Sequence, residues 1–277
     1  VDPAKAKASP VKDLTNAVDP QGRKIRPPSI VDGFAYAGKN RSATGMVAIS
    51  SSVRIAQPAL DTVDYHSLAE KTAQNGRNII EVGWVVNRQN IFGGTVASNL
   101  EPHFFASAWY DNGTASTWCG SYVGGCGYVD YAGNAFNVGA SILSDKDLEK
   151  QIQIVYSAGW WWLSYNGGWV GSFPAALGHS VAGFTTANFA QDFGEIAYAH
   201  YGTCSDMGNG QTGVPLNPYP SRGATFTNLN VSTGSGYSLQ PYTGNTVITD
   251  NTKWNEADWG SYGFAYGGTG YAAGSCP

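Results

Sequence analysis

The chain has 277 residues, with 16 Lys and Arg against 20 Asp and Glu, and a formal net charge of −4. Charged residues are 13% of it and aromatic residues another 13%, while 36 glycines and 13 prolines occupy more than one position in six. This balance argues against a nucleic-acid binder, a helical bundle and a disordered chain, and points to a turn-rich all-β protein long enough to bury its own core.

Residues 1–30 carry Lys5, Lys7, Lys12, Arg23, Lys24 and Arg26 among Pro3, Pro10, Pro20, Pro27 and Pro28. They read as an extended N-terminal arm or the remnant of a pro-segment. The body, 31–277, reads as one domain. Met46 to Val53 and Asn78 to Val86 are strand candidates, and between them Asp61 to Gln74 is the one stretch with a plausible helical turn. His103 to Tyr110, Tyr128 to Asn137 and Ala140 to Leu143 follow as strands. Lys150 to Tyr156 alternates polar and apolar side chains, as a strand with one wet face does. Ala158-Gly159 reads as a hairpin turn leading into Trp160 to Tyr165. Phe193 to His200 and Ala224 to Val231 complete the set. Their number and spacing predict an antiparallel β-sandwich with long Gly/Ser/Tyr-rich loops. Residues 232–275 are predicted to be one such loop region, held by Cys276. No apolar run approaches the roughly 18–20 residues of a membrane span.

The four cysteines are Cys119, Cys126, Cys204 and Cys276. Of the three possible pairings, Cys119–Cys126 with Cys204–Cys276 is favoured: one clips a tight Gly-rich loop and the other pins the C-terminus. A chain-entropy argument gives upper values of about 2.5 and about 4.4 kcal/mol for the two. No His motif accompanies them, so a zinc site is not expected. Sequons begin at Asn40, Asn112 and Asn230. Together these features predict a secreted, extracellular protein.

No zincin, Gly-x-Ser-x-Gly or Walker motif occurs. His66, His103, His179 and His200 are scattered without ligand spacing and read as surface or hydrogen-bonded residues. The carboxylates are more informative. Of six glutamates, Glu70, Glu101, Glu149 and Glu256 stand in polar or loop-like surroundings. Glu81 lies inside Ile79-Ile-Glu-Val-Gly-Trp-Val-Val86, and Glu195 inside Asp192-Phe-Gly-Glu-Ile-Ala-Tyr198. A carboxylate in the middle of an apolar strand is costly unless it is paired, protonated or functional. The neighbouring Gly83 and Gly194 are expected to leave room for a ligand to approach the backbone.

An ordered set of motifs then carries a resemblance. Residues 78–87, NIIEVGWVVN, and 192–198, DFGEIAY, resemble the two Glu-bearing segments of the neprosin family of glutamic endopeptidases. Between and after them, Glu101 to Trp109, Cys119 to Cys126, Val138-Gly-Ala-Ser-Ile142, Trp160-Trp-Trp-Leu163, Gly171-Ser-Phe-Pro174, Asp206-Met-Gly-Asn-Gly210 and Ala224 to Val231 resemble further family segments in the same order. The resemblance spans about 40–232. It departs from the family at Asp192-Phe193, where the family has Trp-Gly, and at Gly-Ser-Phe-Pro, where it has Gly-Tyr-Trp-Pro.

The resemblance implies a β-sandwich endopeptidase with Glu81 and Glu195 as its catalytic pair, needing no metal or cofactor and acting on peptide or protein substrates, possibly proline-containing. Two carboxyls meeting around one water would hold one proton between them, which favours acidic operation. One member would act as base on water and the other as acid toward the carbonyl and the leaving amine. The sequence does not divide these roles. Trp84, Trp161 and Tyr198 are candidate walls of a proline-sized subsite. A monomer with no nucleic-acid or membrane partner is expected. Three rival readings stand beside the peptidase: a glycoside hydrolase with two carboxylates, a carbohydrate-binding module whose Trp and Tyr stack on sugars without need of the carboxylates, and an inactive family member with a structural role.

Overall fold

The computed structural model describes residues 33–62, 64–88, 100–111, 116–120, 127–132, 137–176, 183–198, 203–213, 223–234, 236–249, 251 and 253–270. Fifteen strands run through them: β1 (Gly33–Arg54), β2 (His66–Asn75), β3 (Asn78–Asn87), β4 (His103–Asp111), β5 (Ser116–Gly120), β6 (Val129–Asp130), β7 (Glu149–Ser157), β8 (Trp160–Tyr165), β9 (Gly168–Pro174), β10 (Ala187–Tyr198), β11 (Ala224–Thr233), β12 (Gln240–Pro241), β13 (Asn245–Ile248), β14 (Asn255–Asp258) and β15 (Gly263–Gly267). Among the described residues the only helical pieces are two 3-10 turns, Leu143–Asp145 and Gly260–Tyr262.

All ladders among the described residues are antiparallel and join into one 15-stranded sheet, which β1 bends into two packed halves, a first and a second sheet. The first half of β1 lies between β10 and β13, giving the order β5-β4-β3-β2-β10-β1-β13. A register shift between Ser42 and Met46 turns it into the second sheet, where its last half lies between β7 and β11. That sheet continues as β7-β8-β9-β6 on one side and β11-β15-β14 on the other. The inner faces pack together: Ile80, Val82, Trp84, Phe104 and Ala106 of the first meet Ile152, Ile154, Trp161 and Leu163 of the second in one core. Period-2 alternation selects these residues, since every second side chain of a strand reaches the same face.

Hairpin chemistry matches the turns. Ala158 and Gly159 both have positive φ, 50° and 84°, as do Asn166 and Gly167 at 48° and 83°, the requirement of type I′ turns. Gly76 supplies φ 60° at the first position of the two-residue β2–β3 turn.

Three sequence expectations are corrected. The stretch predicted to hold a helical turn contains β2, which pairs along its whole length with β3 and over His66–Gln74 with β10. Ala140 to Leu143 forms a single bridge at Ser141 and a 3-10 start rather than a strand. The supposed loop after 232 supplies β12 to β15, which extend both sheets. Of the 128–137 strand candidate, Val129–Asp130 forms β6 and 133–136 lie outside the described residues, as do residues 1–30, Asn112, Cys126, His179, His200 and Cys276.

Candidate active site

The five strands β4-β3-β2-β10-β1 carry Glu81 and Glu195 on their outer face, the one turned away from the core. Their registers set side chains into rows across the sheet. One row is polar throughout: Asn40, Gln191, Thr72, Glu81 and Ser107. The next reads Gly38, Phe193, Glu70, Gly83 and Phe105. The third reads Tyr36, Glu195, Leu68, Val85 and His103. Glu81 and Glu195 thus share a face, as the sequence reading requires.

They do not meet head to head. Glu81 is paired with Thr72 and Glu195 with Leu68, so the intervening strand β2 and four residues of rise separate them. At about 3.3 Å per residue and about 4.8 Å per strand, their Cα atoms stand roughly 16 Å apart along the sheet. Ser107 Oγ donates to Glu81 Oε2 at 2.6 Å. On the far side, His66 Nε2 lies 2.8 Å from Glu195 Oε1. Midway between the two sits Glu70, two residues along the ladder from each partner position and therefore about 7–8 Å from each in Cα terms. All three carboxylates are withdrawn from water: Glu70 is 1%, Glu81 3% and Glu195 0% exposed.

Sequence reasoning missed Glu70 because HSLAEKTAQN resembles a polar or helical segment. The signal was present nonetheless. A two-residue turn at Gly76-Arg77 folds this segment back on NIIEVGWVVN and sets Glu70 opposite Gly83. His66 is one of the hydrogen-bonded histidines, with Glu195 as its partner, and His103 Nδ1 likewise bonds to Gly139 O at 2.8 Å.

The candidate subsite walls lie elsewhere. Trp84 and Trp161 are fully buried in the core between the sheets, where their indole N–H groups donate to Arg54 O and Phe184 O. Tyr198 packs at the edge of the same core, over Gly33. Trp84 and Tyr198 each stand three residues from a glutamate, and an odd separation puts them on the opposite face. The rings that do share the acidic face are Tyr36, Phe193, Phe105 and Trp109, with Tyr36 and Phe193 edge to face at 5.5 Å. Gly83 and Gly194 do not hold open space either. A Cβ at Gly83 would lie 1.9 Å from Ala69 O, and one at Gly194 would lie 2.3 Å from the Tyr266 ring. These glycines let β2 and the Tyr266 ring close in.

Directly beneath the acids, the inner face holds a buried ion pair. Lys71 Nζ lies 2.6 Å from Asp192 Oδ1, and neither side chain is exposed. Ser51 Oγ donates to Asp192 Oδ1 at 2.8 Å, and the Tyr242 hydroxyl donates to Oδ2. Burial lowers the Lys71 pKa despite the opposing pull of Asp192, and burial next to the same carboxylate raises that of Tyr242. Asp192 is where the chain departs from the family's Trp, and the departure installs a polar knot that ties β1, β2, β10 and the segment after β12 together.

Cys204 is disulfide-bonded. Asn40 is buried in β1, which closes its sequon to a glycan in the folded chain. Among the described residues no group of three or more His, Cys, Asp or Glu is placed to hold a metal ion.

No curated protein matches the chain by sequence. Among solved structures it is similar to SCP-B, a member of the Eqolisin family of peptidases in complex with the tripeptide Ala-Ile-His, at 10% identity and TM-score 0.45, over 85% of this chain and 98% of that one. Scytalido-glutamic peptidase with a transition-state analog inhibitor matches over the same shares at 9% identity and TM-score 0.45. A glycoside hydrolase family 16 endo-glucanase from Bacteroides ovatus matches over 60% of this chain and 67% of its own at 11% identity and TM-score 0.37. In a scan of protein families, the one described as Neprosin matches residues 63–269, a span that contains β2, β3 and β10 with all three face-sharing glutamates. The chain belongs to the Neprosin family, and is a glutamic endopeptidase.

Proposed function

We propose that the chain is a secreted endopeptidase that hydrolyses main-chain amides at acidic pH through Glu81 and Glu195, with a preference for proline-containing stretches. The observation that carries this is the placing of both glutamates, with Glu70 between them, on one water-poor face of β3-β2-β10 inside the matched family span. Burial withdraws all three carboxyls from water, where each is costly unless hydrogen-bonded or functional.

In the reaction, an ionised carboxylate takes a proton from water as the hydroxide adds to the scissile carbonyl carbon. A protonated carboxyl hydrogen-bonds to the carbonyl oxygen and then gives its proton to the leaving amine as the C–N bond breaks. One acid and one amine leave, and the proton taken up replaces the one given away. Glu195 suits the base, because the imidazole beside it stabilises negative charge. Glu81 then takes the part of the acid, with its Oε2 held in position by the Ser107 hydroxyl. With their Cα atoms roughly 16 Å apart, the two do not reach one amide unaided, and Glu70, about 7–8 Å from each, would complete the acid–base pair at the scissile bond. Tyr36 and Phe193 give the Glu195 end an apolar wall suited to a pyrrolidine ring. The disulfide at Cys204 fits an oxidising, extracellular compartment, with Cys119–Cys126 and Cys204–Cys276 as the proposed pairs.

The deciding experiment incubates the purified protein with a proline-containing peptide at pH 3–6 and follows cleavage by mass spectrometry. Cleavage by the wild type and none by Glu81→Gln or Glu195→Gln is expected; undiminished cleavage by either variant refutes the pair. One observation favours a second reading. A groove of about 580 Å³ on the outer face of the second sheet is lined by Trp162, Trp169, Tyr131 and Tyr237, rings of the kind that stack on sugars. Binding to a polysaccharide panel, lost in Trp169→Ala, would support a carbohydrate-binding role.

A further inference from the structure

The polar row that contains Glu81 holds two buried groups the mechanism has not used. Thr72 stands directly across β2–β3 from Glu81, and Gln191 directly across β2–β10 from Thr72. Each is 2% exposed. Thr72 Oγ1 and Gln191 Oε1 find no hydrogen-bond partner among the described residues. A buried polar atom left without a partner is destabilising, so a fold that keeps two side by side retains them against a stability penalty. In the adjacent row, Gln74 Oε1 and Trp109 Nε1 are also without a partner among the described residues. Acceptors and donors together are what a main chain requires, since each residue of a bound peptide brings one N–H and one C=O.

We infer that Thr72 and Gln191 bind the substrate's main chain: the Thr72 hydroxyl donates to the scissile carbonyl oxygen, and Gln191 accepts from an amide N–H of the same peptide. The inference deepens the peptidase reading and rests on it. Directly paired residues hold their Cβ atoms about 4.5–5.5 Å apart. A carbonyl engaged by the Glu81 carboxyl therefore places its oxygen within reach of Thr72. As the carbonyl carbon becomes tetrahedral, negative charge gathers on that oxygen, and a donor fixed in a dry site strengthens its bond at that moment without reorganising. Gln191 sits one strand further along the row and fixes the register of the peptide.

The test uses the full chain, with kcat and KM measured separately on a cleavable peptide and thermal unfolding run alongside. Thr72→Val removes the hydroxyl and keeps the shape. Its kcat is expected to fall by about 10²–10³-fold, the usual loss for one oxyanion donor, with KM little changed. Its melting temperature is expected to equal or exceed the wild type, because an unpartnered buried hydroxyl is gone. Thr72→Ser keeps the donor and should recover most of kcat, whereas Gln191→Leu should act mainly on KM. If Thr72→Val does not fold, Thr72→Ala read against Thr72→Ser makes the same comparison. A wild-type kcat in Thr72→Val, with Glu81→Gln inactive, overturns the role of Thr72 and leaves the peptidase reading in place. Cleavage that survives in Glu81→Gln overturns both.

Discussion

The outer faces of the two sheets are built from the same alternating strands and have opposite characters. On the first sheet, Leu68, Glu70, Thr72, Glu81, Phe193 and Glu195 are all buried, although they point away from the core. On the second, Tyr131 is 44% and Trp169 38% exposed, with Val129 and Tyr237 beside them also in water. The usual expectation is therefore inverted: acids lie in the dry place and rings in the wet one. The contrast separates two uses of a sheet surface. A dry face amplifies the electrostatic effect of each carboxylate and hydroxyl, whereas a wet aromatic face offers contact area with little field.

The comparison would break most visibly in catalysis. Glu195→Gln should lower kcat/KM for a peptide by about 10²–10⁴-fold, the range of a lost acid or base. Trp162→Ala and Trp169→Ala should leave the same quantity unchanged. Loss of cleavage in the tryptophan variants would mean that the wet face is part of the machinery.

The inner layer beneath the acids gives the next largest effect. Lys71→Met leaves Asp192 buried without its cation and should destabilise the fold by about 3–5 kcal/mol in urea unfolding. Lys71→Met combined with Asp192→Leu should recover much of that loss. A single variant as stable as the wild type would show that the polar knot does not hold β2 against β10.

Stability against pH should shift more gently. Burial raises the pKa of Asp206 above 3.8, opposed by the Ala59 N–H, and raises that of Glu256 above 4.5, opposed by Thr246 and Lys39. The folded chain then binds more protons than the unfolded one, so stability falls as pH rises from these ordinary values through the raised ones. Asp206→Asn and Glu256→Gln should flatten that fall when the urea midpoint is followed from pH 3 to 7. The smallest effect belongs to the wet face. Tyr131→Ser should change unfolding free energy by no more than about 0.5 kcal/mol.

How much of this was legible depended on whether neighbours or composition decided each element. β3, β7 and β8 declare themselves, because β-branched and aromatic residues alternate between clear turns. β2 does not. Its Ala, Glu, Lys and Gln carry little strand propensity, and its conformation comes from being paired on both edges. Glu70 went unnoticed for the same reason. The tail was hidden by its Gly, Ser and Thr content, although β13 and β15 need only an exposed edge to join. Glu81 and Glu195 were legible as odd acids in apolar strands. Their separation was not, since it depends on where β2 aligns with two distant strands. Trp84 and Tyr198 misled for a simpler reason: an aromatic ring near an acid in sequence reaches it only at an even spacing along the strand.

The long shared strand β1 also shapes how the molecule is made. It is translated early, yet its partners β7, β10 and β11 begin at 149, 187 and 224, and Gly33 must find Tyr198. Contacts so distant along the chain slow folding, and the central strand leaves the ribosome with its backbone donors and acceptors unmatched. Until the segment from 187 onward is available, β1 lacks β10 and β11, and its unmatched edge is the part of the fold most open to pairing with another chain.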